Sequence, residues 1–326
     1  MHNGHSMDDP PDRGNIGQPC SADGGVEGST ESGVAGDAPA ISIIIPHYND
    51  LPGLDRCLTA LVAQHGGAGA FEIIVADNVS PQGADAVARC VAGRARLTIA
   101  SQRGAGPARN SAVAIARGAV LAFTDADCVP APGWLNAGVA ALAHYDVVGG
   151  AMAVLLPQNT TLNPAQAFEA VFAFDNAAYV ARKGFTVSAN LLCRRAVFDA
   201  TGPFGVGLSE DLDWCHRAQA AGHTLGYAAD AVVGHPARAN WAELRGKWLR
   251  IQAETYALKP PTLAHKLGWL ARAWLMPLSI MLHAPRIWRC AALHTWADRM
   301  AALRGLARLR LWRWADAHRL AWGMRR

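Results

Sequence analysis

The sequence predicts an α/β fold: a mixed, mainly parallel sheet flanked by helices, with a helical, basic C-terminal extension. Three observations carry this. Short β-branched runs such as Ile41-Ser42-Ile43-Ile44-Ile45, closed by Pro46, have the texture of strands buried on both faces. These runs alternate with helix-length segments at the spacing of βαβ units, whose crossovers are right-handed. Charge is segregated to the two ends of the chain, which leaves a nearly neutral body.

Residues 1–39 carry seven acidic residues against Arg13 alone, a net charge of −6, and show no apolar period. They are expected to form a disordered acidic tail. They also lack the basic start and apolar stretch of a secretory signal. The first strand is Ile41–Ile45. A helix over about Leu51–Gln64 follows, then strand Phe71–Ala76, helix Ala84–Ala92, strand Leu97–Ala100, helix Pro107–Arg117 and strand Val120–Thr124. Beyond Asp146 the order is a strand near Val147–Val154, a helix around Pro164–Ala181, a loop over Gly202–Glu210, a helix Leu212–Ala221 and a strand near Leu225–Tyr227. Residues 40–240 are expected to form one domain, and residues 241–326 a separate helical region rich in Trp and Arg.

Hydrophobic residues make up 51% of the 326 and charged residues 17%, enough for a real core, which excludes wholesale disorder. The seven cysteines are odd in number and include no C-x-x-C pair, so a fully paired disulfide framework and a zinc finger are excluded. Reduced thiols fit a cytoplasmic protein. Residues 285–326 hold ten arginines against Asp298 and Asp316, and seven of the eleven tryptophans follow Gly268. Leu267–Ala284 is an 18-residue apolar stretch, at the lower limit for a bilayer span, but Arg272, Pro277 and His283 interrupt it. A central Arg alone costs roughly 2.5–3.5 kcal/mol on insertion scales. Interleaved Trp and Arg suit a membrane interface, so the region is expected at the anionic inner face of the cell membrane. Helices packed on the body with a solvated arginine face are the other reading. No RNA-binding signature accompanies the basic block, so nucleic acid is not an expected partner.

In parallel sheets ligands sit beyond the carboxyl ends of the strands. Three polar clusters fall there: His47-Tyr48-Asn49, Asp77-Asn78 and Asp125-Ala126-Asp127. Two carboxylates at i and i+2 after an apolar strand supply hard oxygen ligands that suit Mg²⁺ or Mn²⁺; the same residues also make an ordinary Asp-rich turn. Gly104 to Asn110 reads as a tight turn opening a helix, with Arg109 in the first turn, which favours an anion or simply links strand to helix. Ser209-Glu210-Asp211-Leu212-Asp213 opens another helix. Its acids serve either as caps or as a general base tuned by neighbouring carboxylates. His235 follows the apolar Ala231–Gly234 and is either a core histidine or a metal ligand. Cys128 and Cys193 read as small buried residues, and the sequons at Asn78 and Asn159 as chance matches.

Order and spacing add to these readings. From Ile41 to His235 the chain resembles the family 2 glycosyltransferases, over about 195 of its 326 residues. Ile41–Asn49 is similar to the family's opening strand and its Pro-x-Tyr-Asn turn, and Val75-Ala76-Asp77-Asn78-Val79-Ser80 to its uridine-contacting segment. Gly106–Arg117 followed by Phe123–Asp127 resembles its Ala-Arg-Asn helix leading to D-x-D, and Pro132-Gly133-Trp134-Leu135 the Pro-Gly-Trp after it. Ala189–Arg195, Gly202-Pro203-Phe204 and Glu210-Asp211 resemble its acceptor-side block.

The resemblance implies a GT-A fold, Rossmann-like and nucleotide-binding, and an inverting, metal-dependent transfer of one sugar from a nucleotide-sugar, a UDP-sugar. The acceptor would be a hydroxyl of a glycan or lipid-linked intermediate. Pro46, Tyr48, Asn49, Asp77, Asn78, Arg109 and Asp125 would bind the donor. Asp127 and His235 would hold Mg²⁺ or Mn²⁺, and Asp211 would be the base, with Glu210 beside it. Many members have Asp-Asp where this chain has Asp77-Asn78, and the Gln-x-x-Arg-Trp motif of processive members is missing. Arg245–Arg250 sits where a phosphate-contacting loop would lie, and its cations either touch the diphosphate or are solvated helix charges. The rivals are a catalytically silent nucleotide-sugar-binding module anchored at a membrane and a sugar nucleotidyltransferase. Pro46-His47-Tyr48-Asn49 stands where the latter would carry a Gly-rich loop and lysine, and the acids at 210 and 211 speak against the former.

Overall fold

The structure is a computed structural model describing residues 39–64, 69–207, 209–257, 260 and 262–324. The expected acidic tail lies, but for Pro39, outside the described residues. The N-terminal half alternates β1 (Ile41–His47), α1 (Leu51–Val62), β2 (Phe71–Asp77), α2 (Ala84–Val91), β3 (Arg96–Ile99), α3 (Ala105–Ile115) and β4 (Val120–Phe123). There follow β5 (Val129–Pro130), α4 (Trp134–Ala141), β6 (Val147–Leu155), α5 (Pro164–Phe172), α6 (Asn176–Lys183), a 3₁₀ turn at Ser188–Asn190, β7 (Leu191–Arg194), α7 (Arg195–Thr201), α8 (Glu210–Ala220) and β8 (Leu225–Pro236). Three long helices complete the chain: α9 (Trp241–Ala257), α10 (Leu263–Arg289) and α11 (Trp296–Ala321).

The strands form one sheet in the order β3-β2-β1-β4-β7-β6-β8-β5. The pairs β1–β2, β1–β4, β2–β3 and β6–β8 are parallel, while β7 runs antiparallel to both its neighbours and β5 to β8. The two-residue period of β1 explains why both faces are covered. Ile41, Ile43 and Ile45 pack with Leu54, Leu58 and Trp134 on one side, and Ile44 packs with Phe123, Phe198 and Trp214 on the other. Each such buried side chain contributes about 1.5–3 kcal/mol.

Three elements differ from the sequence expectation. The helix expected over 164–181 is two helices, because Asp175 leaves helical geometry (φ −145, ψ 63) and accepts the Ala178 N–H as cap of α6. The strand expected at 225–227 runs on to Pro236, because a bulge at 229–231 lets the β6 register jump from Gly150↔Ala228 to Ala151↔Val232. His235 therefore lies within a strand rather than after one. In α3 the cap is Gly104, at φ 125, and Pro107 is the third helical residue rather than the first.

The C-terminal helices have their own apolar cluster, in which Ile287, Leu306 and Leu309 pack against Leu162 and Phe168 of the segment around α5. At Gly305 a Cβ would lie 2.1 Å from the Pro164 carbonyl oxygen, so only glycine permits this approach of α11 to α5. Asp298 closes the capping box of α11 with Thr295 and also accepts the Leu162 N–H at 3.0 Å. Among the described residues no helix is long and apolar enough to cross a membrane. On α10, Leu267, Trp274, Leu275, Leu278, Met281 and Leu282 are nonetheless exposed.

Candidate functional site

The parallel register brings the polar ends of β1 and β2 level, with His47 opposite Asp77. The Asp77 Oδ1 lies 2.8 Å from His47 Nδ1 and accepts the Ser80 hydroxyl at 2.5 Å, while its Oδ2 accepts the Ser80 N–H at 3.0 Å. Burial would raise this carboxyl, but the Ser80 hydrogen bonds and His47 hold it below the usual range. Asn78 is equally committed. Its amide donates to the carbonyls of Ala100 and Gln102 at 2.8 and 2.7 Å, and its oxygen accepts the Gly104 N–H at 2.9 Å. The two residues expected to meet the base thus form the frame of the loop that enters α3. Beside this frame Tyr48 is 49% exposed. Asn49 takes φ 56, which Asn tolerates, and donates its N–H to Ser80 Oγ at 2.9 Å. Pro46 stands next to them in β1, opposite Ala76.

Because α3 begins at Ala105, Arg109 falls in its second turn rather than its first; it points into the centre and is 2% exposed. Its guanidinium forks: Nη2 donates to Asp125 Oδ1 at 2.5 Å and Nη1 to Glu210 Oε1 at 2.9 Å. Burial alone would pull this group down, but Asp125, Glu210 and Asp211 more than reverse that and hold it protonated. Gly106, one turn earlier, is needed for the approach, since a Cβ there would lie 2.5 Å from the Gly205 carbonyl. The acids after β4 and those opening α8 are therefore joined through one buried cation.

Asp211 lies on the α8 side of this cluster. Burial and the neighbouring Glu210 raise its carboxyl to about 6, against the N–H groups of Leu212 and Ser188 and the charge of Arg109. Ser209 occupies the cap position of α8 at φ 53 but makes no side-chain cap bond. Asp211 itself accepts the Leu212 N–H at 2.8 Å. A carboxylate tuned to this range can take a proton near neutral pH.

Asp127 Oδ2 lies 3.4 Å from His235 Nε2. The His235 Nδ1 is 2.7 Å from the Pro236 carbonyl, which assigns the proton to Nδ1 and turns the Nε2 lone pair towards the carboxylate. Two lone pairs facing one another call for a cation or a second proton between them. Burial raises Asp127, Asp125 and Asp50 add to this, and His235 opposes it. Among the described residues no group of three or more His, Cys, Asp or Glu side chains is placed to hold a metal. The residues present fit a Mg²⁺ or Mn²⁺ ion that takes two protein ligands and completes its shell with phosphate oxygens and water.

Asn190 was read only as part of the acceptor-side block, and Lys247 only as one of the cations of the stretch 245–250. Asn190 is fully buried; its oxygen accepts the Trp134 indole N–H at 2.9 Å and its amide donates to Ala151 and Ala231 at 2.9 and 2.8 Å. It ties the turn before β7 to β6 and β8, and its membership in the acceptor-side block was the only signal. Lys247 is a residue of α9 rather than of a loop. It is 3.4 Å from Glu169 and 5.2 Å from the ring centre of Phe174, which itself packs 5.3 Å from the His235 ring. The six described cysteines are free, and burial pushes Cys128 and Cys193 up, which makes poor nucleophiles of both.

Residues 42–209 match the model of the family described as Glycosyl transferase family 2. The glycosyltransferase AglE of Haloferax volcanii is 32% identical over 221 residues, which cover 65% of this chain and 72% of that protein. The pre-mycofactocin glycosyltransferase of Mycobacterium tuberculosis is 27% identical over 213 residues, 61% of this chain but only 43% of that protein. Among solved structures the fold is similar to that of a mannosyltransferase from Pyrobaculum calidifontis in complex with GDP-Man and Mn²⁺. The TM-score is 0.55 and the identity 20%, over 88% of each chain. With the family model spanning just over half of its length, a GT-A fold and relatives that are themselves sugar transferases, the chain belongs to the family 2 glycosyltransferases.

Proposed function

We propose that this enzyme moves a single sugar from a nucleoside diphosphate sugar to an acceptor hydroxyl with inversion at the anomeric carbon, and that Asp211 is the general base. The observation that carries this reading is the Arg109 fork. It joins Asp125 on the donor side to Glu210, the neighbour of Asp211, on the acceptor side. Donor acid and acceptor base would then stand around one space. Tyr48 would stack on the base of the nucleotide, with Pro46, Asn49, Asp77 and Asn78 shaping the walls. Asp125, held by Arg109, would orient the ribose or the donor sugar. Asp211 would accept the hydroxyl proton as the oxygen attacks the face opposite the diphosphate, and Glu210 would contact the acceptor.

Asp127 and His235 would hold Mg²⁺ or Mn²⁺, which when bound neutralises charge on the departing diphosphate. The resemblance of residues 75–80 points to uridine as the base, whereas the mannosyltransferase neighbour binds GDP-Man. A thermal-shift panel of UDP-, GDP-, dTDP- and CMP-sugars with Mn²⁺ or EDTA, on wild type and Asp127→Ala, tests the reading. A ligand at about 100 times its dissociation constant adds about 2.7 kcal/mol. Stabilisation by one nucleotide class, dependent on metal and lost in Asp127→Ala, is expected; no shift with any donor on folded protein would sink it.

Residues 40–240 would form the catalytic domain and residues 241–326 a helical region that rests on the inner face of a membrane. The exposed apolar residues of α10, flanked by Arg272, Arg286 and Arg289, support that placement. The intact chain is expected to float with anionic liposomes, and a chain bearing Leu278→Glu and Leu282→Glu to stay behind. If the intact chain also stays behind, the membrane placement fails.

A further inference from the structure

A cavity of about 650 Å³ lies where α6 meets the helices α5, α9, α10 and α11. Its walls are cationic. Arg286, Arg289, Arg310, Arg313 and Lys183 line it, and Asp175 is the one carboxylate among its described lining residues. Asp175 is already engaged, because its Oδ1 accepts the Ala178 N–H at 3.2 Å. None of the ion pairs among the described residues involves any of the four arginines. Arg313 is held by Gln252 at 2.8 Å and lies 4.1 Å from the ring centre of Trp248. Burial, Arg310 and Arg272 together lower it to about 10. Arg310 is lowered by burial as well, and its Nε is buried with no hydrogen-bond partner. Arg310 and Arg313 are half-buried, whereas Lys183, Arg286 and Arg289 are exposed around them; the half-buried pair, without an ion-pair partner among the described residues, costs the folded state free energy that a bound anion returns.

The cavity also adjoins the site already described. Phe174 in its wall packs against His235. Tyr179 in its wall is raised by burial and by the carboxylates of Asp175 and Asp211, so it lies within electrostatic range of the proposed base. We propose that this cavity seats a phosphate or diphosphate group carried by the acceptor, so that the hydroxyl to be glycosylated is presented to Asp211. The inference rests on the sugar-transfer reading and names the acceptor class for it: an organic phosphate rather than a neutral glycan. Arginine forks match phosphate oxygens in pairs, which suits such a group. The same helix that offers Arg286 and Arg289 to the cavity exposes Leu278, Met281 and Leu282 on its outer side, where the chain of a lipid phosphate would lie.

The test is equilibrium binding to the full chain of three probes: farnesyl phosphate in neutral detergent micelles, farnesol in the same micelles, and glucose 1-phosphate in solution. Each is measured on wild type, on Arg286→Gln/Arg289→Gln, on Arg310→Gln, and on Arg286→Lys/Arg289→Lys as the charge-conserving control. Farnesyl phosphate is expected to bind more tightly than farnesol, to lose at least tenfold in affinity in the glutamine variants, and to recover part of it in the lysine variant, which restores the charge but not the fork. Comparable binding of glucose 1-phosphate identifies the phosphate itself, free of a lipid, as the recognised group; binding of farnesyl phosphate alone identifies a lipid-borne one. Equal binding of farnesol and farnesyl phosphate, or affinities untouched by the glutamine variants, would overturn the proposal. The nucleotide-sugar thermal shift is run on the same proteins. A normal donor shift with no arginine-dependent phosphate binding defeats this inference alone, whereas phosphate binding without any donor shift defeats the sugar-transfer reading.

Discussion

His235 Nε2 faces Asp127 Oδ2 across 3.4 Å, although one residue ends β8 and the other follows β4. The bulge at residues 229–231 carries β8 far enough to bring the ring there. If the pair holds the metal, His235→Ala and Asp127→Ala should each weaken Mn²⁺ binding in the presence of nucleoside diphosphate by about 10- to 100-fold, a loss typical of damaged metal sites. Mn²⁺ electron paramagnetic resonance titration reads this directly, and unchanged affinity in both variants would refute the assignment.

The cation at the centre is expected to be structural as well as functional. Arg109→Ala strands Asp125 and Glu210 beside each other in a partly buried space, and breaking such a pair costs about 3–5 kcal/mol. Arg109→Lys restores the charge but not the fork, so its stability should fall between the two. Urea denaturation midpoints at pH 7.5 check the order; a fully stable Arg109→Ala would show that the fork does not hold α8 in place.

Acid should unfold the protein partly through Glu169. This carboxyl accepts Arg238 at 2.6 Å and lies 3.4 Å from Lys247. Burial pushes it up, but Lys247 and Arg238 outweigh burial and hold it below its ordinary value. A folded value below the unfolded one means stability that is present above the ordinary carboxylate range and lost as pH falls through the lower, folded value. Melting temperatures from pH 3 to 7 should therefore fall less steeply on the acid side for Glu169→Gln, from a lower starting point at pH 7. Parallel curves would count against this role.

Asp211 behaves in the opposite sense. Its folded value, about 6, lies above that of an exposed carboxyl, so ionising it costs the fold stability as pH rises towards and through 6. Asp211→Asn should melt at or above the wild-type temperature at pH 7.5 while losing turnover. A clear loss of stability would mean that the residue's task is to hold α8.

Much of the sheet was legible because its strands are β-branched runs with polar residues at one end. β1, β2 and β4 show this, and Asp77, Asp125 and Asp127 follow from it. The positions of Arg109 and Glu210 were legible as motifs, but their joint hydrogen-bonding was not, because nothing in local spacing encodes a contact between residues of α3 and α8. The break at Asp175 was hidden because apolar residues continue across it at helical spacing, and only the cap geometry ends α5. The extension of β8 was hidden by Ala229 and Asp230, which read as the end of a strand and are a bulge. The Glu169–Lys247 pair and the arginine cavity depend on how α9, α10 and α11 dock on α5, and an imperfect apolar stripe in α11 does not announce that docking.

The most direct test of the central claim is the pH dependence of nucleoside diphosphate release from the matching donor, in wild type and Asp211→Asn, with donor binding measured alongside. The wild-type rate is expected to climb about tenfold per pH unit below about 6 and to level off above it. For Asp211→Asn, donor affinity should be unchanged, the rate lower by about 10²- to 10⁴-fold, and no such climb seen. An Asp211→Asn enzyme that turns over at the wild-type rate with the same pH profile would contradict that claim.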